Sequence, residues 1–279
     1  MDSNPLIKFF RQPAIYVRLP SGGKNWAEGA LNLPENGELP VYPMTAIDEI
    51  TYRTPDALFN GEAVTGVIKS CCPNIVNAWA TPSTDLDGLL IAIRIASYGH
   101  EMDISTSCPA CSEESEFALD LRTIIDGLKS ADFDKELSKG DLEFHFRPLS
   151  YREMTDNSLL QFEQQKNLQA INANDTIPDA DKITQLNTMM RKLIEVTVTA
   201  MSQSITEIRT GNSIVTENAH IEEFLLNCDR SLFNAVRDYI ISLRENSELK
   251  PLEITCPDCT HQYKQIFTLD MANFFDPAS

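Results

Sequence analysis

Cys108-Pro109-Ala110-Cys111 and Cys256-Pro257-Asp258-Cys259 are two copies of a C-P-x-C knuckle, and together they supply four thiolates in two pairs. Four cysteine sulfurs are the ligand set of a closed tetrahedral zinc site. Met102-Asp103-Ile104-Ser105-Thr106-Ser107 precedes the first knuckle and Leu252-Glu253-Ile254-Thr255 the second, while Leu119-Asp120-Leu121 follows one and Leu269-Asp270-Met271 the other. Each copy thus reads as a tight proline-containing turn between an incoming and an outgoing strand, a shape that aims both thiolates of a pair at one point. Residues 112–255 lie between the two pairs, 144 positions, where zinc-binding pairs of cysteines are usually separated by about 15–20. The reading therefore rests on the duplicated surroundings.

Zinc held by Cys108, Cys111, Cys256 and Cys259 is structural, because four protein sulfurs leave no coordination position for water or substrate. It would tie the C-terminal segment to the middle of the chain, closing a loop whose entropic cost grows only logarithmically with length. The alternatives are a dithiol redox pair and unliganded core cysteines. A thioredoxin-like pair needs one C-x-x-C at the head of a helix in a βαβ pattern, and neither knuckle is so placed. His261, two residues past Cys259, is a candidate replacement ligand; His100, His145 and His220 have no ligand-like spacing.

The chain has 279 residues, 42% of them hydrophobic, enough for one large or two ordinary domains with a real core. No apolar run approaches the roughly 20 residues of a membrane helix, and Met1 to Phe10 lacks a secretory h-region, so a cytoplasmic protein is expected. Seven cysteines, four of them in metal-type spacing, fit a reducing compartment. Cys71, Cys72 and Cys228 read as buried small hydrophobes. With 23 Lys plus Arg against 41 Asp plus Glu, the formal charge is −18. Nucleic-acid affinity comes chiefly from phosphate neutralisation, so this charge argues against a nucleic-acid partner and equally against anionic membranes. It suits solvated acidic faces or docking on a basic protein surface.

The periodicities predict an α+β fold: an N-terminal α/β domain over 1–100, two halves of a zinc-ribbon-like clasp at 101–123 and 250–279, and a mostly helical region over 124–249. Ala14–Leu19 reads as a strand ending at the Pro20-Ser21-Gly22-Gly23 turn. Thr54-Pro55-Asp56 opens a helix that Asn60-Gly61 interrupts before Glu62–Cys72. A buried helix runs from Asp85 to Ala96, an amphipathic one covers Leu119–Leu128, and Leu142–Arg147 alternates as a strand. Ser150 and Glu153 form a capping box at the head of a long helix reaching about residue 172. After a connector over 172–178, Ile183, Leu186, Met190 and Leu193 carry a second helix to Ala200, making an antiparallel helical hairpin over 151–205. That hairpin either packs within the chain or associates with another subunit, a second copy included. A strand at Ser213–Val215 and helices over 219–228 and 231–244 complete the region.

Catalytic signatures are missing: there is no G-x-S-x-G, H-E-x-x-H or dinucleotide fingerprint. Gly22-Gly23-Lys24 lacks the P-loop spacing and is followed by Asn25. No catalytic or cofactor-binding residue is assigned, and an enzyme is not expected.

The stretches PAIYVRLPSGG (13–23), LPVYPMTAIDE (39–49), TPDALFNG (54–61), DGLLIAIRIASYGH (87–100), the first C-P-A-C and FRPLSYREM (146–154) occur in an order and spacing that resembles the baseplate hub or hub-assembly proteins of T-even-like contractile-tailed bacteriophages. The second C-P-D-C agrees with the resemblance, which otherwise covers about the first 155 residues. It implies a non-enzymatic virion protein of the tail baseplate, made in the host cytoplasm, whose partners are other baseplate or hub proteins. It equally accommodates a hub-assembly chaperone that is absent from the mature particle.

Overall fold

The computed structural model describes residues 4–54, 57, 59–173, 178–269 and 274–275. It is a mixed helix-and-sheet protein in which every strand ladder among these residues is antiparallel. The chain divides into two compact units, residues 1–130 with 247–279 and residues 131–246.

In the first unit β1 (Ile15–Val17) pairs with β2 (Leu39–Val41). Helix α1 (Ala46–Tyr52) begins with a capping box in which the Asp48 carboxylate accepts from Thr45 N at 2.7 Å and Thr45 Oγ1 accepts from Asp48 N at 3.3 Å. The same carboxylate accepts from Ser70 Oγ at 3.0 Å and meets Arg11 Nη1 at 3.4 Å, so it ties the N-terminal segment to α2 (Glu62–Cys71). Of the helix expected to open at Thr54-Pro55-Asp56, Pro55 and Asp56 lie outside the described residues. Helix α3 (Ser83–Tyr98) is buried without a break from Gly88 to Arg94, as its apolar run predicts, and stops at Gly99, whose φ of 94° a glycine adopts without strain.

Two polar side chains inside this unit fix other segments to α3. Asp85, 0% exposed, accepts from Ser21 N at 2.8 Å, Ser21 Oγ at 2.5 Å and Trp26 Nε1 at 2.8 Å. Burial raises its pKa, and these three donors reduce that rise without cancelling it. The donors of Ser21 in the Ser21-Gly22-Gly23 turn are therefore engaged by an internal carboxylate, and Gly23 N donates to Ser21 Oγ at 3.1 Å. Arg94, 1% exposed, donates to the Phe274 carbonyl at 2.5 Å and lies over the Tyr98 and Phe274 rings, while Phe275 sets its ring edge-on to Tyr52 at 4.8 Å. β3 (Glu101–Ser107) pairs with β4 (Glu114–Asp120), and α4 (Leu121–Gly127) follows. Leu119 and Asp120, expected in that helix, belong to β4: they pair with Met102 and Glu101, and the Asp120 carboxylate caps α4 by accepting from Arg122 N at 2.9 Å.

The second unit holds the sheet β5 (Leu137–Lys139), β6 (Leu142–Phe146), β7 (Ile205–Thr210) and β8 (Ser213–Val215), in that order. Between β6 and β7 run α5 (Tyr151–Ala173) and α6 (Asp179–Gln203); α7 (Asn218–Asn227) and α8 (Arg230–Ser247) come after β8. The alternation of β6 turns Phe144 and Phe146 inward, where they meet Ile205 and Ile208 of β7, Val198 and Met201 of α6, Ile221 and Leu225 of α7, and Val236 and Leu243 of α8. Ser150 and Glu153 form the capping box of α5, and Arg147 holds Glu153 with two bonds of 2.9 and 2.6 Å. Asn157 of α5 donates to Gln203 of α6 at 2.8 Å and Lys182 of α6 donates to the Asn172 carbonyl at 2.7 Å, so the two helices run antiparallel. Of the connector over 172–178, residues 174–177 lie outside the described residues. Cys228 ends α7 half-buried, whereas Cys71 and Cys72 are fully buried. β9 (Leu252–Thr255) and β10 (Gln262–Gln265) then complete the first unit. No described helix is long and apolar enough to cross a membrane.

Asp87, half-buried on α3, supplies a test of this packing. Desolvation, then repulsion from Glu248, pushes its pKa up to about 6. The folded state thus holds a proton that the unfolded chain has already lost between about pH 4 and 6, and stability contributed by this group falls as pH rises through that window. Asp87→Asn is expected to stabilise the protein at pH 7.5 by about 2 kcal/mol and to change little at pH 4. Urea unfolding of the two proteins at both pH values reads the difference, and equal effects at the two would contradict it.

Candidate metal centre

Each cysteine knuckle is a turn set at the tip of a two-stranded ribbon. In the first ribbon the register runs from Glu101 opposite Asp120 to Ser107 opposite Glu114, and in the second from Leu252 opposite Gln265 to Thr255 opposite Gln262. The turns then repeat one another bond for bond. Cys108 N donates to the Glu113 carbonyl at 2.9 Å and Ser112 N to the Cys108 carbonyl at 2.8 Å; Cys256 N donates to the His261 carbonyl at 2.9 Å and Thr260 N to the Cys256 carbonyl at 3.0 Å. Ser112 and Thr260, the residues after the second cysteine of each turn, both stand in the left-handed region, at φ 61° and 59°. Non-glycine residues rarely adopt this conformation. Two unrelated stretches share it because each must curl a pair of sulfurs toward one point.

The sulfurs do converge. Cys108 Sγ lies 3.7 Å from Cys259 Sγ, Cys111 Sγ lies 3.7 Å from Cys256 Sγ, and all four sit within 4.8 Å of one another. A tetrahedral ion with metal–sulfur bonds of about 2.3 Å requires neighbouring sulfurs about 3.8 Å apart. The cross-knuckle distances meet that requirement and are far too long for S–S bonds. In both knuckles the first cysteine is buried and the second exposed. Desolvation raises the Cys108 thiol, but donation from the Cys111 and Ala110 N–H groups and from the Cys111 and Cys259 thiols outweighs it and brings the pKa down to about 7. Such a cluster can bind a metal ion.

Sequence reasoning named all four cysteines and missed what braces them. The Thr106 and Tyr263 hydroxyls hydrogen-bond, joining β3 to β10 below the knuckles. His261 contributes its backbone carbonyl to its own turn and stacks its ring on Tyr263, with centroids 6.3 Å apart; the four-sulfur group contains no histidine. The ribbon β3–β4 also concentrates charge. Glu101, Asp103, Glu114 and Glu116 are exposed along it, and the alternation of carboxylates in E-M-D and E-S-E was the available signal. Elsewhere, a cleft lined by Arg147, Glu153, Gln203, Thr206, Thr216 and Asn218 is polar, but Arg147 is already engaged with Glu153.

A sequence model of the family described as T4 bacteriophage base plate protein matches residues 17–276 of the chain. No curated protein and no solved structure gives a match.

An ion among the sulfurs would shield the two exposed thiols. In protein purified without chelator, Cys111 and Cys259 are expected to resist a thiol-modifying reagent and to become reactive after treatment with a strong chelator. Cys259→Ser is expected to lower the melting temperature by several degrees and to abolish that chelator dependence. Rapid labelling of both exposed cysteines in chelator-free protein, followed by mass spectrometry of peptides, would be the contrary result.

Proposed function

The chain belongs to the T4 bacteriophage base plate protein family, and we propose that it is a non-enzymatic structural part of a contractile tail baseplate, in the hub region, where it mediates contacts between subunits during assembly. The observation that carries this reading is the extent of the family match, residues 17–276, which takes in both knuckles and nearly all described elements. We further infer that the metal is zinc, bound by Cys108, Cys111, Cys256 and Cys259. Four sulfurs with spacings close to the edge of a zinc–thiolate tetrahedron support that choice. The zinc supplies no chemistry to a substrate; it makes the first unit one fixed shape.

Fixed shape is what favours a permanent component. A transient helper commonly presents an adaptable, loosely ordered surface, whereas this chain joins a metal clasp to a buried helix and an anchored C-terminal Phe274-Phe275. Its partners are other baseplate proteins. The charge of −18 disfavours nucleic acid and anionic membranes, since both are themselves negative. The helices α5 and α6 offer a second contact surface, because only Thr155 is buried along the 23 residues of α5.

Quantitative mass spectrometry of purified virions is the test. Several copies per particle, with one zinc per chain in the isolated protein by elemental analysis, is the expected result. Abundance in infected-cell extract with none in virions would instead make the protein a hub-assembly chaperone.

A further inference from the structure

Helix α6 carries two apolar stripes, and only one is used. Leu186, Met189, Leu193 and Val196 are half-buried on one side, the side from which Lys182 reaches the Asn172 carbonyl of α5. Ile183, Asn187, Met190 and Ile194 form a second stripe about 110° around the helix. Its three apolar members are 60%, 52% and 56% exposed. Their steps of four, three and four residues are those of a coiled-coil seam, in which Asn187 and Ile194 take the a positions and Ile183 and Met190 the d positions.

We propose that this stripe pairs in parallel with the same stripe of a second copy of the chain, about a two-fold axis along α6. Three features select that occupant. The stripe's one polar member, Asn187, sits at an a position, where in a parallel pair each amide lies across from its own copy and can both donate and accept. In an antiparallel pair of the same overlap Asn187 would face Met190 and stay unsatisfied. The flanking positions agree: Arg191 is exposed at the e position, and in a parallel pair its stem lies along Leu186 of the other copy and extends the apolar contact, whereas an antiparallel pair would set it beside Thr184. Finally, the α5–α6 seam is partly polar. It includes the Asn157–Gln203 bond, and the Gln164 Oε1 atom is buried without a partner among the described residues. A further helix layer is what such a pair lacks. The seam spans three turns, so its affinity is modest and favours association where copies are already concentrated.

This deepens the reading of α5 and α6 as a contact surface in the baseplate, and it can fail separately from it. Analytical ultracentrifugation of the full chain at about 100 µM is expected to show dimer. Met190→Lys and Ile194→Lys, both at positions more than half exposed, should weaken dimerisation at least ten-fold with unchanged far-ultraviolet circular dichroism. Asn187→Cys should cross-link between copies under mild oxidation, since identical a positions face each other only in the parallel arrangement. A monomeric wild type at that concentration, or dimers that survive both lysine substitutions, overturns the pairing; dimers without Asn187→Cys cross-linking overturn its direction. A monomer found in virions would sink the pairing and leave the baseplate role standing, and a dimer absent from virions would do the reverse.

Discussion

Four sulfur atoms from two distant stretches must meet within 4.8 Å, and the first unit depends on that meeting more than on any other contact. Its β3–β4 and β9–β10 ladders are isolated two-stranded ribbons, a structure that is marginal in water by itself. The β3–β4 ribbon carries a further burden. Glu101 lies directly opposite Asp120, and like charges facing across strands destabilise a ladder. Arg122 relieves Asp120 through bonds of 3.0 and 2.7 Å; no comparable ion pair is described for Asp103, Glu114 or Glu116. Between residues 101 and 120 there are six acidic residues and no Lys or Arg. An ion at the ribbon's tip would fix the geometry without relieving that field, since four thiolates around a divalent ion keep a net negative charge; the turns hold Ser112 and Thr260 in a conformation that unconstrained residues avoid.

The same unit is closed a second time, by different physics. Phe274 and Phe275 are almost completely buried, and the Arg94 guanidinium is desolvated against the Phe274 carbonyl and two rings. A buried cation is costly unless hydrogen-bonded, so this contact stabilises the unit only while the C-terminal segment remains in place. A metal held by the four sulfurs would keep that segment near by shortening the free chain that must find its site. Such a metal and the aromatic anchors would reinforce each other: one would limit the entropy of the tail, the other buries its apolar surface.

Much of this was legible locally. The knuckles, the alternation of Leu142 to Phe146, the apolar run of α3 and the Ser150–Glu153 capping box are patterns within a few residues, and the structure has an element at each. Apart from the meeting of the two knuckles, contacts across long stretches were not legible. Nothing near Thr106 announces Tyr263, and nothing near Arg94 announces Phe274, because each residue's own neighbourhood is an ordinary strand or helix. The three residues of β5 are too few to show a period. At Leu119 the helical spacing of Leu121, Ile124 and Leu128 extended backward into a strand, since a pattern of apolar positions cannot register that Leu119 pairs with Met102. The exposed stripe of α6 is a subtler case: Ile183, Leu186, Met190 and Leu193 read as one face, but the structure divides them between a half-buried side and a free one.

The first unit satisfies the buried Asp85 carboxylate with Ser21 and Trp26, although it too buries the Thr81 and Thr84 hydroxyls without a partner among the described residues. The α5–α6 pair keeps in its seam an amide oxygen unpaired among the described residues, and it leaves isoleucines in water, a combination that native interiors seldom retain. In an assembly both features are useful. A preformed unit docks without paying ordering entropy again, while a helix pair with unmet contacts gains from each neighbour it covers. On the proposed pairing, α5 and α6 are where neighbours would complete the protein.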